Sequence, residues 1–216
     1  FDIQPEQVSS IEKFLNEQDQ TILAMSPMVR SRLTMINSEK VQTSVNASMT
    51  REEERAVRMR NRGVNLSYRN NLDSSEELTS GIWPDSTYDF SINPVAKVTL
   101  EKRYAKRLGV DIGDHLEFDI LGIPVSTKIV GLREVQWTSF RPNFFILFEK
   151  GVLEDAPKTY LSAIRGLDLT SDSIFQTKLF NAFPNVSYVD IRRAIKRITN
   201  IMNSMSLILR SMSFLV

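Results

Sequence analysis

The chain has 216 residues, 42% hydrophobic and 25% charged, enough for one large domain or two small ones with a core and a solvated surface. Lys plus Arg total 27 and Asp plus Glu total 26, a net charge of +1, which argues against a dedicated nucleic-acid binder because such a protein needs a basic excess to displace counterions. No cysteine is present, so disulfides and thiolate chemistry are excluded. No run of about 18 apolar residues occurs either, so there is no complete bilayer span.

Pro5 suits the first turn of a helix, where its missing N–H costs nothing. Val8, Ile11, Phe14 and Leu15 then mark one helical face that ends near Asp19. In "TILAMSPMVRSRLTMINSEKV", Ser26-Pro27 predicts an interruption and Asn37-Ser38 a turn. Between them Val29, Ser31, Leu33 and Met35 alternate with Arg30, Arg32 and Thr34, the period of a half-buried strand. Thr50 and Glu53 in "TREEERAVRMRNRG" have the spacing of a capping box, and Gly63 is placed to close that helix. Val64, Leu66 and Tyr68 alternate as a strand. Residues 70–94, rich in Asn, Asp, Ser and Pro, read as loop with short extended pieces.

Thr99 is placed to cap a short helix carrying Leu100, Tyr104 and Leu108 and stopped by Gly109, with those three packing on the hairpin that follows. Leu116, Phe118 and Ile120 form its outgoing strand, Gly122 to Pro124 its turn, and Val125, Thr127 and Ile129 the return. "NFFILF" reads as a buried strand, with Phe144, Leu147 and one of Phe145 and Phe148 in the core. Ser171 is expected to cap a helix of Ile174, Phe175, Leu179, Ala182 and Phe183 that Pro184 stops, and "VSYVDI" to form a last strand. The mixture is α+β rather than a regular βαβ alternation. The chain closes on "RAIKRITNIMNSMSLILRSMSFLV". Asp190 is placed to cap this helix, and its apolar residues recur three or four apart while its charges thin out after Arg197. The pattern admits two accounts: an aqueous segment lying between two membrane spans, or a protein whose last helix packs on its own core.

Chemistry is sparse. His115 is the one histidine, so any triad would rest on it, and it sits in a turn leading into a strand with no G-x-S-x-G elbow nearby. A solvated turn histidine is the favoured reading. One His and no Cys exclude ordinary zinc ligation, and no phosphate-cradling glycine loop is present. We therefore expect no catalytic residue, no metal and no cofactor. The stretch that stands out is "WTSFRPNFF", where Arg141 and Asn143 flank Pro142 between aromatic groups and can fix a loop or form a binding lip.

Several segments together resemble a known family. "SPMVRSRLTMINSEKV", "LTSGIW", "AKRLGVDIGDHLEFDILGIPVSTKIVGLREVQW", "SFRPNFFILFEKGVLEDAPKTYL" and "FPNVSYVDI" follow the order of the extracytoplasmic (MacB-like periplasmic core) domains of FtsX-like, MacB-type ABC permeases, and most resemble the YbbP-like subgroup. "LGVDIGD" resembles a pattern shared widely among such domains, whereas "SFRPNFF" resembles the subgroup more specifically. The resemblance implies a mixed α/β Porter-like subdomain at residues 1–80 and 149–200, a β-rich Sabre-like insertion at 81–148, and a C-terminal stalk helix at 201–216. It implies a bacterial inner-membrane protein whose domain faces the periplasm or cell exterior and transmits ATP-driven movement (mechanotransmission) to export or extract a lipid, lipoprotein or peptide. The expected partners are a cytoplasmic ATP-binding subunit, a periplasmic protein or lipid-linked substrate, and the membrane through flanking spans; a dimer through the C-terminal helix is expected for the chain alone. Arg141, Asn143, Phe144 and Phe145 are the candidate junction or interaction residues, and Met205, Leu209, Met212 and Leu215 the candidate membrane-proximal ones. Two rivals remain: a regulatory domain controlling a periplasmic partner such as a cell-wall hydrolase or lipid-modifying enzyme, and a secreted hydrolase dependent on His115.

Overall fold

The computed structural model describes residues 2–42, 44, 49–165 and 169–191. In chain order the elements are β1 (Asp2–Ile3), α1 (Val8–Glu17), β2 (Ile22–Ile36), β3 (Glu39–Lys40), α2 (Arg51–Arg60), β4 (Val64–Tyr68), β5 (Glu76–Gly81), β6 (Ala96–Glu101), α3 (Lys102–Leu108), β7 (His115–Ile120), β8 (Ile123–Val135), β9 (Ile146–Phe148), β10 (Thr159–Ile164) and α4 (Leu169–Ala182). The fold is mixed α and β, rich in sheet.

The strand pairings close into a ring. β2 pairs with β4, β4 runs parallel to β9, β9 pairs with β6, β6 runs parallel to β8, β8 pairs with β7, and β7 returns to β2. Closure removes the unpaired edges that an open sheet would present. Alternate residues of these strands fill the interior, among them Val29, Leu33, Leu66, Val98, Leu116, Phe118, Ile129, Ile146 and Phe148, all buried. β5 adds to the outside of the ring along β8.

A second, smaller core lies beside the ring. The first part of β2 pairs with β10, and β10 pairs with β1. Helices α1 and α4 pack on this short sheet through Ile11, Leu15, Phe175 and Leu179, with Phe14 set edge-on to Phe183 at 5.6 Å between ring centres. β2 therefore belongs to both cores. Met28 is its last residue opposite β10 and Val29 its first opposite β4.

Pro27 does not interrupt β2, contrary to expectation; the strand runs through it, opposite Tyr160. A proline removes one ladder donor and is tolerated at irregular places in a sheet. Here it lies just before the strand changes partners, and its carbonyl accepts from Ser67 Oγ at 2.6 Å. Residues 96–101 form a strand rather than the start of a helix. α3 begins two residues later than expected and is capped by Glu101, not Thr99, the Glu101 carboxylate accepting from the Tyr104 N–H at 2.6 Å. Gly109 does end α3, in the left-handed region at φ 75°.

The hairpin turn is Leu121-Gly122, both at positive φ, so Ile123 and Pro124 already belong to β8. Asp119 steadies the turn by accepting from the Gly122 N–H at 2.6 Å. The capping box forms as read, with Thr50 N–H donating to Glu53 at 2.7 Å and Glu53 N–H to Thr50 Oγ1 at 3.3 Å. α2 ends at Arg60, before Gly63.

α4 starts at Leu169, which places Ser171 inside the helix, and Ile174 is exposed, so the buried face is Phe175 and Leu179. "VSYVDI" forms no strand; only an isolated bridge joins Ser187 to Asp2. β10, which the residue pattern did not announce, supplies the central strand of the small sheet. The expected closing helix beyond Ile191, with Met205, Leu209, Met212 and Leu215, lies outside the described residues.

Candidate functional site

Where the two cores meet, the segment from Gln136 to Phe145 is held by three arginines from three parts of the chain. In β8, Ile129, Gly131, Arg133 and Val135 are buried at a period of two, but a register shift against β6 after Ile129 sets Leu132 beside Leu100 of the ring core and Arg133 beside Glu101. Arg133 thus occupies a buried position, with no exposed surface. Its guanidinium meets Glu76 of β5 at 2.6 Å, and Glu76 is itself fully buried at its side chain. Arg133 also donates to Thr99 Oγ1 at 3.0 Å, to the Phe144 carbonyl at 3.0 Å and to that of Phe145 at 3.4 Å. Burial pushes the Arg133 guanidinium down, to about 10, against the opposing pull of the Glu76 carboxylate, so it stays protonated at neutral pH.

Arg69 follows β4. It meets the other oxygen of Glu76 at 3.1 Å and donates to the Pro142 carbonyl at 3.1 Å. One carboxylate therefore bridges two guanidinium groups, and both cations also donate to carbonyls of the Arg141–Phe145 stretch. Arg141 points the opposite way. Its Nε lies 2.9 Å and 3.1 Å from the two oxygens of Asp73, and its Nη2 donates to the Leu23 carbonyl of β2 at 2.6 Å. Asn143 accepts from Ser75 Oγ at 3.2 Å. Phe144 is buried with Met28 and Leu147 between the cores, with Trp83 and Leu161 against them. Leu147 and Phe148 are buried in β9, and Phe145 is half-buried.

Arg69, Asp73, Glu76 and Arg133 were not singled out from the residue pattern, and Thr99 was read only as a helix cap. Arg133 carried a usable signal, since it falls on the buried parity of an otherwise clean strand. Glu76 and Arg69, in polar and loop-like surroundings, carried none.

Asp73 responds to several forces. Burial raises its pKa, but hydrogen bonds from Ser75 N–H at 2.9 Å and Ser75 Oγ at 2.8 Å, with the Arg141 and Arg69 charges, outweigh it and hold the carboxyl below its usual range. A carboxyl depressed in the folded state stabilises the fold above its unfolded value and loses that contribution as pH falls through the folded one. The expected result is that Asp73→Asn flattens the loss of stability as pH falls below about 4, by about 0.5–1 kcal/mol, the scale of partly exposed pairs. Urea midpoints of the two proteins across that range check it; parallel curves would refute the role of Asp73.

His115 lies on an exposed strand end away from this network, and its backbone N–H donates to Asn37 Oδ1 at 2.9 Å. Among the described residues no group of three or more His, Asp or Glu is placed to hold a metal ion. The junction is thus an arrangement for holding position: charge-assisted bonds on one short loop tie it to β2, β8 and the connection between β4 and β5.

No protein-family model matches the chain. The chain is similar to the uncharacterised ABC transporter permease YbbP of Escherichia coli (strain K12). The two are 29% identical over 198 residues, which is 92% of this chain and 22% of that protein. The chain therefore spans about a fifth of the length of that relative. A crystal structure of a domain assigned to a permease from Porphyromonas gingivalis covers 79% of this chain and 74% of its own at 11% identity. Its TM-score is 0.37, too low to bear on the fold. Among the described residues no helix is long and apolar enough to cross a membrane.

Proposed function

We propose that this chain is a noncatalytic, extracytoplasmic domain of a bacterial ABC transporter permease of the FtsX-like, MacB-type kind, transmitting ATP-driven movement from the inner membrane. The observation that carries the reading is the similarity to a permease over nearly the whole chain. The ATP-binding subunit would be a separate cytoplasmic partner, reached through membrane spans of the full-length protein.

In this reading the small sheet with α1 and α4 is the Porter-like part and the ring is the Sabre-like part. The division is drawn at the two cores, near residues 28 and 157. The boundaries expected from the resemblance, at 80/81 and 148/149, would instead place β2 and β4 in a different part from strands they pair with in the ring. The Arg141–Phe145 junction then makes the two parts move together, since Arg141 bonds β2 while Arg133 and Arg69 bond the same loop from the ring side. The role of residues 201–216 as a stalk belongs to this proposal.

The test uses Ile92, which is 83% exposed, in a chain without cysteine. Ile92→Cys in an otherwise cysteine-free full-length permease is expected to react with a membrane-impermeant maleimide in intact cells. Its reaction rate is expected to change when the ATP-binding subunit is trapped with ATP and vanadate. Labelling only after permeabilisation would overturn the extracytoplasmic placement, and a rate indifferent to trapping would overturn the transmission.

A further inference from the structure

On the ring side of the junction lies an open trough that the network does not use. Its floor is three packed rings, two stacked and the third tilted. Tyr104 lies flat against Phe145, 4.8 Å between centres and 13° between planes, and Trp137 packs on Phe145 at 4.9 Å. The Arg107 guanidinium sits 5.6 Å from the Phe145 ring centre and 5.8 Å from that of Tyr104. Trp137 is nonetheless 42% exposed, unusual for so large an apolar group when it has an aromatic neighbour to pack against. Two adjoining cavities, of about 380 Å³ and about 720 Å³, share Trp137, Phe145 and Arg107 as walls.

The rim is basic. Arg62, Arg103, Lys106 and Arg107 are all exposed and line the two cavities. Arg103, Lys106 and Arg107 stand three and four residues apart on α3, the spacing at which like charges repel on one helix face. Among the described residues none of the four has an ion-pair partner. The one carboxylate in the lining, Glu101, is buried and committed to capping α3.

We propose that this trough binds an acidic peptide segment of another protein, with an aromatic or aliphatic side chain seated against Trp137 and Phe145 and carboxylates spaced along the basic rim. Three features select a peptide over an anionic lipid. The trough is open along one side, so an acyl chain laid in it would keep much of its apolar surface in water. A peptide needs to bury only alternate side chains. The cations are spread along a helix and the end of α2's connection rather than focused on one point, which fits carboxylates along a chain better than one headgroup. The chain's own residues beyond Ile191 begin with Arg192, Arg193, Lys196 and Arg197, whose charge opposes docking here.

The experiment titrates the 216-residue chain with a short synthetic peptide of alternating glutamate and phenylalanine, following peptide anisotropy and the fluorescence of Trp137 in a Trp83→Phe background. The expected result is saturable binding that weakens with added salt. Lys106→Glu and Arg107→Glu, both at exposed positions, are each expected to weaken it by about tenfold or more, with circular dichroism unchanged. Trp137→Ala is expected to weaken binding without altering its salt dependence. The same peptide with lysine for glutamate is expected not to bind. Equal binding of the two peptides, binding unaffected by the charge reversals, no binding up to about 1 mM, or capture of phosphatidylglycerol vesicles without peptide binding would each overturn the proposal. Binding is read on this chain alone, so its failure would leave the permease reading standing.

Discussion

Replacing Glu76 with Gln is expected to lower stability by about 3–5 kcal/mol, the cost of removing one partner from a buried ion pair. The size follows from what is left behind. Arg133 has no exposed surface, and without the carboxylate its direct partners are the Thr99 hydroxyl and two carbonyls, with the Glu101 charge acting from further off. Those groups satisfy hydrogens but bring no opposing unit charge. Arg69 is less confined and can turn toward water. The double variant Glu76→Leu with Arg133→Met should recover much of the loss, because replacing both partners of a buried pair by apolar groups is often close to neutral. It should not recover all of it, since the Phe144 and Phe145 carbonyls then lose their donor. Urea unfolding of the three proteins, followed by tryptophan fluorescence and circular dichroism, measures these differences. A Glu76→Gln protein within about 0.5 kcal/mol of the wild type would show that the pair is not closed off from solvent.

Tyr104→Ala is expected to cost about 3 kcal/mol, the range for deleting a large buried ring. Tyr104 packs in the ring core with Leu100, Ala105 and Leu108, and its outer face stacks on Phe145. Burial pushes its hydroxyl up to about 12, with Arg107 opposing the shift. Among the described residues that hydroxyl makes no hydrogen bond, so Tyr104→Phe should change stability by less than about 1 kcal/mol. The pair of variants separates ring packing from the polar group. A loss below about 0.5 kcal/mol for the alanine variant would contradict the packing.

Much of the local structure was legible in the residues. α1 shows its face through Ile11 and Leu15, β7 through Leu116, Phe118 and Ile120, and α2 announces its start through Thr50 and Glu53. Each is governed by neighbours two to four positions away, so composition and spacing carry the answer. The misreadings share a cause too. Thr99 has a capping side chain, but residues 96–101 gain more from lying between β8 and β9, where Val98, Thr99 and Leu100 are fully buried. Pro27 carries the usual mark of a break, yet tertiary pairing on both sides of it holds the strand extended. "VSYVDI" alternates as a strand should, but only Ser187 finds a partner.

For the candidate site, Arg141, Asn143 and Phe144 were readable as unusual: polar groups beside a proline among aromatic residues. Their partners were not. Glu76 and Arg133 are 57 positions apart, Arg141 and Leu23 118 apart. Periodicity along the chain says which face a residue turns to, not which distant residue will be there. Closure of β2, β4, β9, β6, β8 and β7 into a ring, two of whose pairings are parallel, depends on matching surfaces far apart in the chain. That closure buries Arg133, brings Glu76 to it, and sets Tyr104, Phe145 and Trp137 in one stack. Residue chemistry at short range thus decided the elements and their apolar faces. Only the tertiary structure decided the charged junction and the aromatic trough, because both are made of contacts whose energy exists only once distant strands have met.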